Sequence, residues 1–136
     1  MPHSPSSEIA GRIEDLYAAP LADLEAHAQA QPPGMLSALL AMHDDLALAE
    51  RSITLHRDRL AQLVHPERQM GGHEVSHVLD CARRLAEAVA VREVQARTVS
   101  AVLQSLARVA APAPSLTATP SSVTAPVPAA STARNR

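Results

Sequence analysis

The stretch that decides the fold is MLSALLAMHDDLALAERSITLHRDRLAQLV, residues 35–64. Met35, Leu39, Met42, Leu46, Ala49, Ile53, His56, Leu60 and Leu63 recur in it at alternating steps of four and three. Such spacing holds one stripe of a helix against a partner along its whole length. Only His56 in that stripe is ionisable. The spacing predicts a helix over 35–64, roughly 45 Å long at the usual rise per residue. His65-Pro66 ends it, because a residue before proline avoids the helical region.

The same rhythm returns downstream. Val75, Val78, Ala82, Leu85, Val89, Arg92, Ala96, Val99, Leu103 and Leu106 form a second seam, predicting a helix over 74–110. A short loop containing Gly71 and Gly72 separates the two helices, so they are expected to fold back as an antiparallel hairpin with a coiled-coil-like seam. Arg92 interrupts the second seam, and Asp45 and Glu50 on the facing helix are its expected partners. From Ala86 to Val94 the second helix is apolar on several sides, which predicts a place near the middle of the bundle.

Upstream, Ser7 is the expected cap of a helix from Glu8, with Ile9, Ile13, Leu16 and Tyr17 on one face. Pro20 ends it and opens a second short helix, reaching Gln31 before the break at Pro32-Pro33-Gly34. Two helices alone leave much apolar surface wet. Either the N-terminal helices cover it, or two hairpins pair into a dimeric four-helix bundle. The expectation is therefore an all-α chain: a long antiparallel hairpin, about 35–64 and 74–110, completed by short N-terminal helices. Residues 1–110 are the expected helical domain. Residues 111–136, almost wholly Ala, Pro, Ser, Thr and Val, read as a disordered tail.

Composition narrows the function classes. The 136 residues hold one Tyr, no Phe and no Trp, so the core must be aliphatic. Formal charge is −2, and all 12 basic side chains are Arg. Arg51, Arg57 and Arg59 cluster, as do Arg83 and Arg84, but Asp44, Asp45, Glu50, Asp58, Asp80 and Glu87 interrupt them. With no stacking aromatics, a mixed-charge solvated face is the better account than a nucleic-acid surface. A lone Cys81 excludes an internal disulfide and suggests a reducing compartment. MPHSPSSEIAG is no signal peptide, and no apolar run reaches the ~20 residues of a membrane span, so a soluble cytoplasmic protein is expected.

One motif carries chemistry. His73-Glu74-Val75-Ser76-His77 fits H-E-x-x-H, in which two His four apart on a helix share a zinc ion and Glu takes a proton from metal-bound water. This pentapeptide resembles the zincin metalloproteases. The resemblance implies a zinc-dependent hydrolase, but one whose fold sets substrate against a sheet edge, and no strand is expected here. A milder reading places His73, His77 and Cys81 on one stripe, with His56 across from Cys81 and His65 in the loop, as a zinc-binding set. The bland reading has these as boundary side chains near a helix end. His56 would be a polar seam residue that helps set register. No phosphate loop or nucleophilic triad is recognisable. The expectation is thus a non-enzymatic helical interaction or regulatory module acting by protein–protein contact, with self a candidate partner. It carries no assigned catalytic, cofactor or metal residue. The alternatives are a zinc-binding protein or hydrolase and a DNA-associated regulator.

Overall fold

A computed structural model describes residues 4–111. The expected disordered tail lies outside those residues. Four helices form a bundle: α1 (Pro5–Tyr17), α2 (Leu21–Ala30), α3 (Met35–Leu63) and α4 (Gly72–Ala110). The described residues contain no strand. The hairpin of α3 and α4 forms as the paired seams require, and its helix bounds fall within two residues of those read from sequence. Its register also holds, since the Cys81 thiol donates to the His56 carbonyl across the hairpin at 3.2 Å.

The first helix starts earlier than Ser7. Ser4 is the cap: its hydroxyl accepts from the Ser7 N–H at 3.3 Å, and Pro5 takes the first helical position, where a missing N–H costs nothing. Helix α1 closes at Ala18, which adopts the left-handed region with φ of 53°. Ala19 N–H then donates to the Glu14 carbonyl. Pro20 is not the first helical residue of α2 but its cap, and it offers no side-chain acceptor. The Glu14 carboxylate supplies one instead, accepting from the Leu21 N–H at 2.7 Å. The α1–α2 corner is thus built around one glutamate. Helix α2 ends at Ala30, with Gln31 as its C-cap.

Ile9 and Ile13 of α1, Leu24 of α2, Leu39 and Leu46 of α3 and Val99 and Leu103 of α4 make one buried cluster. Leu16 and Tyr17 pack against it, as their shared face requires. All of these lie towards the open end of the hairpin. Helix α1 rests on both α3 and α4, whereas α2 touches α1 and α3 but not α4. The N-terminus of α1 sits at Glu50, whose carboxylate accepts from the Ser6 N–H at 2.9 Å and the Ser6 hydroxyl at 2.5 Å. Further along, the Arg12 guanidinium donates to the hydroxyl and carbonyl of Ser100 on α4 at 3.1 and 3.2 Å.

These contacts correct the expected Arg92 pairing. Glu50 is occupied by α1, and Arg92 instead reaches its neighbour Glu93 at 3.7 Å. A helix N-terminus presents free N–H groups and a partial positive charge, so it competes well for a nearby carboxylate.

Candidate functional site

Helix α1 begins level with Glu50, so 13 residues of α3 beyond it, up to Leu63, extend past the cover. Among the described residues that leaves roughly 20 Å of hairpin as two helices alone. Its interior is thin. Ile53, Leu63 and the small side chain of Cys81 are buried there. Small residues at a crossing let two helices approach closely but bury little area each.

Larger aliphatic side chains sit on the outside. Leu55 is 64% exposed and Leu79 is 62% exposed, and Val64, Met70 and Val75 are also open to solvent. Midway along the hairpin, Leu48, Val91 and Val94 are exposed as well. Leu48, Ala49, Ala88 and Val91 line a groove of about 300 Å³ between α3 and α4, with Asp45 and Gln95 at its rim. Leu48 and Leu55 stand seven residues apart, two turns along one side of α3. The many-sided apolar stretch from Ala86 to Val94 therefore does not put α4 in the middle of the bundle. One of its sides meets α3, but Ala86, Ala90, Val91 and Val94 face solvent, because α2 never reaches α4.

The histidine motif lies at the hairpin tip. Gly71 caps α4, so His73 and Glu74 occupy its first turn. The His73 and His77 Nε2 atoms are 3.0 Å apart, with ring centroids separated by 4.4 Å and planes at 89°. Both rings are exposed. The Glu74 carboxylate reaches back along the chain and accepts from the Gly71 N–H at 3.0 Å. Hydrogen bonds from its own N–H and from Gly71 hold its carboxyl below the usual carboxylate range, against the opposing pull of desolvation. A side chain at residue 71 would put its Cβ 2.8 Å from that carboxylate, so glycine leaves the room the cap needs.

The structure thus brings His73 and His77 together and leaves their sequence companions out. Cys81 is buried and spends its thiol on the His56 carbonyl. The His65 ring accepts from the Glu67 N–H within the loop. Among the described residues no three His, Cys, Asp or Glu side chains are grouped to hold a metal ion. Glu74 is bound as a helix cap rather than aimed at a water between the histidines. Arg84, in the second basic cluster, is engaged by Asp80 at 3.0 Å.

Two roles escaped the sequence reading: the carboxylates of Glu14 and Glu50 as caps for helices other than their own. A cap partner distant in sequence leaves no local signature. The exposure of Leu48, Leu55 and Leu79 was partly signalled, since none of them belongs to either seam. Among the described residues no helix is long and apolar enough to cross a membrane. No protein family, curated protein or solved structure matches the chain.

Proposed function

We propose that this chain is a non-enzymatic helical interaction module that acts by protein–protein contact through the hairpin faces left open by α1 and α2. One observation carries the reading. Large aliphatic side chains, Leu48 and Val91 at the groove and Leu55 and Leu79 nearer the tip, stand in solvent on the helical pair. Clustered exposed apolar surface is costly in water and marks contact sites. Helices also offer the regular ridges and grooves that another helix packs into.

A second copy is the partner to test first. Two hairpins laid side by side would cover each other's open faces in a four-helix arrangement. Light scattering on size-fractionated protein over a hundredfold concentration range is the direct measurement. The expected result is a rise from one chain to two, lost when Leu48 and Val91 are both changed to Asp. A chain that stays single at the highest concentration removes self-association. If, in addition, the double variant is no more soluble than the parent, the open faces are inert and the contact reading fails.

A hydrolase reading draws no support from the geometry, since Glu74 is committed to the helix cap.

A further inference from the structure

We propose that His73 and His77 form a two-histidine site for one borderline divalent transition-metal ion, open to solvent on its remaining coordination positions. The inference stands apart from the contact reading. His73 and His77 lie at the hairpin tip, at least 14 residues and so roughly 20 Å along α4 from Val91 at the groove, so the metal site and the groove are separate places.

The geometry points to this chemistry. Two side chains four apart in a helix stack over one another. Here that stacking brings two ring nitrogens of the same type, Nε2, to 3.0 Å. Metal–imidazole bonds are about 2.0–2.1 Å long. Two such bonds at a right angle put the nitrogens about 2.9 Å apart, and at a tetrahedral angle about 3.3 Å apart. The observed spacing falls between these values and nearer the first. It suits neighbouring positions of a tetragonal ion such as Cu2+ or Ni2+, and zinc needs only a small opening of the pair. Unlike the fuller zinc set weighed as an alternative from the sequence, this site uses neither Glu74 nor Cys81. Both of those groups are engaged elsewhere.

The rings are free to make the adjustment. Both are exposed, so turning each ring to aim its lone pair at a shared ion meets no packed neighbour. In the metal-free pair one Nε2–H donates a hydrogen bond to the other Nε2; on binding, that ring keeps its proton on Nδ1 instead, and both Nε2 lone pairs face the ion. Imidazole is a ligand suited to copper, nickel and zinc, and affinity at such a site follows the order copper above nickel, with zinc below copper. An ion bridging residues 73 and 77 also clamps the first turns of α4, where the backbone otherwise relies on the Glu74 cap.

The test uses the full, untagged chain after chelator treatment, titrated separately with Cu2+, Ni2+ and Zn2+. Calorimetry gives stoichiometry, and NMR of the histidine ring nitrogens shows which rings respond. The expected result is one ion per chain at the tightest site, copper binding tightest, and the Nε2 signals of His73 and His77 shifting together. His77→Ala and His73→Gln should each weaken that site by roughly tenfold or more, since losing one of two tethered ligands forfeits their effective concentration. His65→Ala should leave it unchanged. Circular dichroism confirms that the variants remain helical, as exposed substitutions allow. Binding that is equally strong in His77→Ala, or that weakens as much in His65→Ala, overturns the assignment. So does metal addition that leaves both ring signals unmoved.

Discussion

At the scale of single residues, Ala18 carries a conformation that its side chain resists. Its φ of 53° closes α1 in the left-handed region, where a Cβ crowds the following carbonyl. Glycine would relieve that crowding but would also gain freedom in the unfolded chain, and the two effects oppose each other. We expect Ala18→Gly to raise stability by about 0.5–1 kcal/mol, a shift of a few degrees in Tm. Calorimetry on the two proteins checks it, and an unchanged or lower midpoint would mean the turn is relaxed with alanine in place. The residue was legible in sequence only as part of the break before Pro20. The run Ala18-Ala19-Pro20 holds no glycine to mark the helix end, so the left-handed cap had no local sign.

At the scale of elements, Glu50 and Arg92 show how a helix terminus redirects a charge. Glu50 holds the N–H and hydroxyl of Ser6, so it docks the start of α1 onto α3. Removing it leaves that N–H without its acceptor at a part-buried site. We expect Glu50→Ala to cost about 1–3 kcal/mol in denaturant unfolding, and Arg92→Met to cost less than about 1 kcal/mol. A double variant whose loss departs from the sum of the two would show that Glu50 and Arg92 are coupled after all. The contrast also explains what sequence disclosed. Helix spans and hairpin register follow from periodic apolar positions, which encode burial directly, and His56 met Cys81 as the loop length required. Caps follow from which acceptor happens to lie near a terminus. Ser4 and Ser7 are both plausible N-caps by local rules, and Pro5 at the first helical position was the sign that separates them. The tip motif was legible as a spacing. Its division of labour was not, because a glutamate beside an orphan N–H binds that N–H before it waits for a substrate.

At the scale of the whole molecule, cover is unequal along one continuous hairpin. The open end has α1 across both long helices and an interlocked cluster around Ile13, Leu39 and Val99, each wholly buried. Among the described residues the tip half has two helices and a thin seam of Ile53, Leu63 and Cys81. Local opening free energy falls where few apolar contacts must be broken. Amide exchange in the isolated chain should therefore grade along α3 and α4. Residues 36–50 and 88–106 should be the slowest, and residues 52–63 and 73–86 faster by a factor on the order of ten or more, as about 1.4 kcal/mol of lost local stability implies. Uniform protection would show that the tip draws stability from something other than side-chain burial. Concentration then separates cover by a second copy from its absence. A partner that binds only the closed hairpin slows opening of the segments it covers, by mass action. If tip halves pair with each other, exchange over 52–63 and 73–86 slows as protein is concentrated, while the already protected open end does not change. A gradient that persists unaltered at every concentration would mean that the tip stays bare in solutions of this chain alone.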